Sequence, residues 1–161
     1  MKNHAYNCSE HIELLIYEHQ LMRQKKSLLK EDPIKHSQLM FYSARIQDHF
    51  HWSHRDKYLQ LITSFLTSRI SGKEFDEKFL KIVNEIGAEC RLLCQNYEEL
   101  KLIELNPKSY GCGNWISDIY WCCDEFYEYY NPDEEYDPVL KTEEQLRDAV
   151  ASLLPEIQKY F

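Results

Sequence analysis

The chain has 161 residues, a net charge of −8, 43% hydrophobic and 29% charged side chains, and only four glycines and five prolines. That length supports one domain-sized core. So few turn-formers argue against an all-β sandwich, which needs a turn roughly every 8–12 residues. The acidic balance argues against direct DNA or RNA binding, whose electrostatic footprint is basic. No apolar run approaches the roughly 20 residues that span a bilayer. Met1 to Ser9 lack the basic and apolar blocks of a secretion signal, so a cytoplasmic location is expected. There Cys8, Cys90, Cys94, Cys112, Cys122 and Cys123 remain reduced thiols.

Helical periodicity runs along the whole chain. Ser9 is expected to cap a helix reaching about Lys30, with Ile12, Leu15, Ile16, His19 and Met22 on one stripe. Asp32-Pro33 reads as an N-cap followed by proline at the first helical position, leading through Leu39, Met40, Ser43, Ile46 and Phe50. A third helix, about 55–69, groups Tyr58, Leu61, Ile62, Phe65 and Leu66. Ser71-Gly72-Lys73-Glu74 is a capping box that restarts a helix with Phe75, Phe79, Ile82, Val83, Ile86 and Cys90 on one face. Gly111-Cys112-Gly113-Asn114 opens a helix over about 115–130, with Ile116, Ile119, Tyr120, Cys123, Phe126, Tyr127 and Tyr130 inward. Asn131-Pro132 ends it. Thr142-Glu143-Glu144-Gln145 is a second capping box, followed by Leu146, Ala149, Val150, Leu153 and Ile157, and Pro155 is expected to kink or split that helix. The fold class is all-α, with helices of 10–20 residues and short loops that imply an antiparallel bundle.

Charge divides the sequence. Residues 1–57 are net +2 and hold all seven histidines, whereas 58–161 are net −10 and hold none. A boundary is expected near His54–Lys57, separating a helical N-terminal extension, 1–57, from an acidic bundle, 58–161. Between Asp118 and Asp148 eleven acidic residues face only Lys141 and Arg147, a local net charge of −9. Tyr120, Trp121, Phe126, Tyr127, Tyr129 and Tyr130 are threaded through this stretch. One reading is a solvated face that confers solubility. The other is a surface built to meet a basic partner, because like charges this dense cost stability.

Other chemistry finds less footing. In His49-Phe50-His51-Trp52-Ser53-His54, His51 and His54 share a helical face and His49 does not, and no carboxylate or cysteine stands at a metal-motif spacing. A histidine-based metal enzyme is the less favoured alternative to a polar helix junction. Cys90 and Cys94 lie a turn apart, but adjacent Cys122 and Cys123 diverge by about 100° on a helix and ligate poorly together. Core packing of Cys90 and Cys123 is expected, with Cys94 and Cys122 near the boundary. Cys112, before a helix N-terminus, is a weak candidate for a reactive thiol. No nucleophile elbow or phosphate-binding glycine loop is present, and paired carboxylates for glycoside hydrolysis are disfavoured in so short an all-α chain. No cofactor, catalytic residue or metal site is expected.

The run from Leu61 to Phe75, with its Ile70-Ser71 break and Glu74-Phe75 start, resembles the opening of the colicin D immunity protein family. Gly113-Asn114-Trp115-Ile116-Ser117-Asp118-Ile119-Tyr120 and Cys123-Asp124-Glu125-Phe126 are similar to its third helix. The loop Asn131 to Asp137 and the helix Thr142 to Leu154 complete a likeness over about 58–160. It implies an antiparallel four-helix bundle that inhibits a transfer-RNA-cleaving toxin, presenting carboxylates where phosphates would lie in a basic active-site cleft. Carried over, the contact candidates are Asp118, Asp124, Glu125 and Glu128 on the third helix, and Asp133, Glu134, Glu135 and Asp137 in the loop. Trp121, Tyr129 and Tyr130 are candidate aromatic anchors, since Tyr and Trp dominate interface energetics. The alternative partner is another basic protein. A monomer that binds protein, and neither nucleic acid nor membrane, is expected.

Overall fold

The computed structural model describes residues 5–126 and 142–161, and every regular element among them is helical. In chain order the α-helices are α1 (Cys8–Arg23), α2 (Leu28–Glu31), α3 (Pro33–Ser53), α4 (Arg55–Leu66), α5 (Gly72–Gln95), α6 (Tyr97–Leu100), α7 (Cys112–Asp124), α8 (Glu143–Ser152) and α9 (Leu154–Ile157), with short 3-10 turns at Pro107–Ser109 and Gln158–Tyr160. No described helix is long and apolar enough to cross a membrane.

The helix starts follow local chemistry. Asp32 Oδ1 accepts from the Lys35 amide at 3.0 Å, so Pro33 does open α3. Ser71 Oγ accepts from the Glu74 amide at 3.2 Å while Glu74 Oε2 accepts from the Ser71 amide at 3.3 Å, the reciprocal pair expected of a capping box. Thr142 and Gln145 form the second box. Pro155 splits the C-terminal helix, α8 ending at Ser152 and α9 starting at Leu154.

α1 departs from expectation at both ends. Its cap is Asn7, not Ser9, and it stops at Arg23 instead of Lys30. Lys25 adopts φ 58°, and the amides of Lys25 and Lys26 donate back to the carbonyls of Met22 and Leu21. That is a Schellman ending built on lysine where glycine is usual. α4 ends the same way: Ser68 has φ 58°, and the amides of Ser68 and Arg69 donate to Phe65 and Ser64. Left-handed backbone costs a non-glycine residue about 1–2 kcal/mol. Ser68→Gly is therefore expected to stabilise the protein by about 0.5–1 kcal/mol after glycine's larger unfolded-state entropy is subtracted, read as a raised urea midpoint.

Two compact units emerge, each described by itself: residues 1–50 with 86–111, and residues 51–85 with 112–161. In the first, α1 buries His11, Ile12, Leu14, Leu15 and Leu21, so the stripe is rotated from the expected one. Ile16 and Met22 lie exposed, Met22 at 62%. On α3, Leu39, Tyr42 and Ile46 are buried and Met40 is exposed. Tyr6 meets His11 and Tyr42 edge to face at 5.7 and 5.6 Å, and His11 and Tyr42 lie tilted at 5.7 Å. Glu10 accepts from Tyr42 and Gln38, tying α1 to α3. The chain preceding α7 is held from α3. The Arg45–Asp48 pair is buried at 3.3 Å, Asp48 Oδ2 also accepts from the Gly111 amide at 2.8 Å, and His49 Nδ1 accepts from the Asn106 amide at 3.1 Å. Gly111 turns at φ 77°, where glycine carries no steric cost.

The second unit has an aromatic centre shared by α4, the first half of α5, α7 and α8. Tyr58 lies 5.5 Å from Phe79 and 5.4 Å, edge-on, from Trp115. Phe65 stacks on Phe75 at 4.4 Å, and the Arg147 guanidinium covers the Phe65 ring at 4.2 Å. Leu146, Val150 and Ile157 close the core. Phe79 has no solvent exposure, so Phe79→Ala leaves a cavity against Tyr58 and Phe75 and is expected to cost about 3–5 kcal/mol in urea unfolding.

The start of α5 is also tied to α8. The Gly72 amide donates to Glu143 Oε2 at 2.9 Å, and Glu143 Oε1 takes the Arg147 guanidinium at 2.6 Å. A Cβ at Gly72 would stand 3.0 Å from Phe126 Cζ and 3.1 Å from Glu143 Cγ, so both side chains close over this glycine.

Candidate acidic interface on helix α7

α7 holds the first described part of the acid-and-aromatic stretch, and α8 holds Glu143, Glu144 and Asp148. Its inner face is Cys112, Trp115, Ile116, Ile119 and Cys123, all buried. This differs from the expected face in two places. Trp115 points inward onto Tyr58, and Tyr120, expected in the core, is 39% exposed. The larger indole fills the centre of the unit, and that rotates Tyr120 outward. The half-buried Phe126 packs near Gly72, while Tyr127 and Tyr130 lie outside the described residues.

The outer face carries Asp118, Trp121 and Asp124, all exposed, with Trp121 at 59%. Trp121 and Tyr120 meet at right angles, centroids 6.2 Å apart. Asp118 to Asp124 is under two helical turns, about 9 Å of axis. Among the described residues neither aspartate forms an ion pair with a lysine or arginine, so both carboxylates are left to solvent. Glu125 follows the helix and is half-buried. The remaining candidates, Glu128, Tyr129, Asp133, Glu134, Glu135 and Asp137, lie outside the described residues, as does Tyr130. Glu143 shows that position in an acidic stretch does not define role, since it is spent on the Gly72 amide and Arg147.

The histidines are dispersed into separate bonds. His49 Nδ1 accepts a backbone amide, which requires that nitrogen to be unprotonated, and burial beside Arg45 lowers its pKa. His51 is buried, its Nδ1 2.9 Å from the Tyr58 hydroxyl, and burial lowers it to about 4. His54 meets Ser53 at 3.3 Å. His11 is fully buried in the first unit and lowered by burial to about 4. No group of three or more metal-ligating side chains gathers among the described residues.

Cys90 and Cys123 are buried and Cys94 and Cys122 are half-buried, matching the expected packing, and none of the six cysteines is in a disulfide. Burial pushes the Cys90 thiol up to about 12 and raises Cys123 further, with the Asp76 carboxylate adding to it. Cys112 is fully enclosed, which removes it as a reactive surface thiol.

Comparison with known proteins gives a family match in the region that carries α7. Residues 55–157, from the start of α4 to the end of α9, match the family model described as bacterial self-protective colicin-like immunity. No curated protein and no solved structure matches the chain. The match covers well over half of the sequence, and the chain belongs to the bacterial self-protective colicin-like immunity family.

Proposed function

We propose that this immunity protein inhibits a ribonuclease toxin of the transfer-RNA-cleaving type, presenting an acidic surface to its basic active-site cleft. Family membership makes it a self-protective immunity protein directed at a toxin. The nuclease target and the mimicry are the further step. The observation that carries them is the outer face of α7, where Asp118 and Asp124 stand exposed beside Trp121. A cleft that grips RNA is lined by lysine and arginine, and carboxylates on a rigid helix meet them in charge-assisted hydrogen bonds. An aromatic between the carboxylates supplies the anchor that dominates interface energetics. In this reading the protein is not an enzyme, acts in the cytoplasm, and blocks one cleft per copy. Glu125, Glu128, Tyr129, Asp133, Glu134, Glu135 and Asp137 are proposed as further toxin contacts on the strength of their charge and aromatic character.

Surface plasmon resonance against basic ribonuclease domains, from about 50 to 500 mM salt, tests this, because the Debye length falls from roughly 14 to 4 Å over that range. The association rate is expected to fall steeply with salt while dissociation changes little. A flat response removes charge mimicry, and binding to a basic protein without nuclease activity replaces the target.

A further inference from the structure

The second unit carries a surface opposite in sign to the net charge of the chain. Lys57 and Leu61 of α4, with Lys78, Lys81, Ile82 and Glu85 of α5, line an open groove of about 420 Å³. Three lysines against one glutamate is a local reversal in a chain of net −8. The lysines are only loosely engaged. Lys78 Nζ lies 3.6 Å from Glu74 and Lys81 Nζ 3.9 Å from Glu85, all solvent-exposed, and such pairs contribute little. Leu61 and Ile82 are half-buried and form an apolar floor.

Such a groove takes a short acidic helix with an apolar residue at its centre. The same unit carries one. From Lys57 to Ser64 and from Lys78 to Glu85 the groove runs about 10 Å, and the α7 face from Asp118 to Asp124 runs about 9 Å at 1.5 Å per residue. Trp121 stands exposed between carboxylates that no described lysine or arginine neutralises.

We propose that two copies of the chain pair reciprocally, the α7 face of each seated in the Lys57/Lys78/Lys81 groove of the other. Trp121 lies on Leu61 and Ile82, and Asp118 and Asp124 meet the lysines. A reciprocal contact uses both surfaces of both copies and closes at two. The net charge on each copy opposes association, so the pair is weak and reversible. The expected monomer is then the dilute or toxin-bound state. The pairing itself stands on the groove and α7. Its displacement by toxin rests on the proposed function.

Sedimentation velocity from about 10 to 500 μM protein at about 50 mM salt tests the pairing. The wild type is expected to shift from monomer to dimer across that range. K57E/K78E/K81E and D118K/D124K are each expected to remain monomeric alone. Mixed in equal amounts they are expected to regain the dimer, because each reversed groove then faces a reversed helix. A monomeric wild type overturns the proposal, as does a dimer that survives either set of reversals or a mixture that stays monomeric. K57E/K78E/K81E keeps the α7 face intact, so its inhibition of the nuclease, measured separately, reports on the proposed function alone.

Discussion

Replacing Asp118 and Asp124 with lysine is expected to weaken toxin binding by about 100-fold or more, because in the proposed complex each reversal removes an attraction and installs a repulsion. Both side chains are exposed on the outer face of α7, and the core residues Trp115, Ile116 and Ile119 point the other way. The double variant is therefore expected to keep its helical circular dichroism and its urea midpoint. Wild-type affinity in a folded double variant would move the contact surface off α7. Trp121→Ala is the companion change. It leaves the charge untouched, so it is expected to raise the dissociation rate and spare the salt dependence of association.

The second large effect is acid lability. His11 and His51 are held neutral by burial, each titrating near 4 when folded against about 6.5 when unfolded. Below about pH 6.5 the unfolded chain takes up protons that the folded chain refuses. Stability is thus whole above that pH and is lost as pH falls toward 4, by about 1.4 kcal/mol per pH unit for each histidine. His49, lowered by burial and Arg45, adds in the same direction. Asp76, whose carboxyl burial raises, opposes it at the acid end. Urea midpoints at pH 7.5, 6 and 5 are expected to decline steadily. His51→Gln keeps a hydrogen-bonding group near Tyr58 but cannot titrate, so it is expected to flatten the decline by one histidine's share. Equal midpoints at pH 7.5 and pH 5 would contradict this.

The caps at Asp32, Ser71 and Thr142 were legible because each is a local bond between residues three apart. Pro155 was legible because its ring acts on the adjacent turn. What escaped depends on distant partners or on unusual residues in familiar roles. Lys25 and Ser68 end helices in a conformation that sequence rules assign to glycine. The rotation of α1 that exposes Met22 is chosen by what packs on it, as is the exchange of Trp115 for Tyr120. Glu143 read as one more acid in an acidic stretch, and its bond to Gly72 spans 71 positions. The lysine groove had a signal in Lys78 and Lys81, three apart on one helix, yet Lys57 joins them only through the fold.

Phe126 and Glu143 both stand against one glycine, and this has a consequence for that position. A side chain at position 72 would meet a ring edge at 3.0 Å and an acid's methylene at 3.1 Å. Position 72 thus admits no larger residue unless an aromatic and an acid from distant stretches of sequence give way together, and mutational tolerance is expected to be lowest there for a residue that carries no side chain of its own.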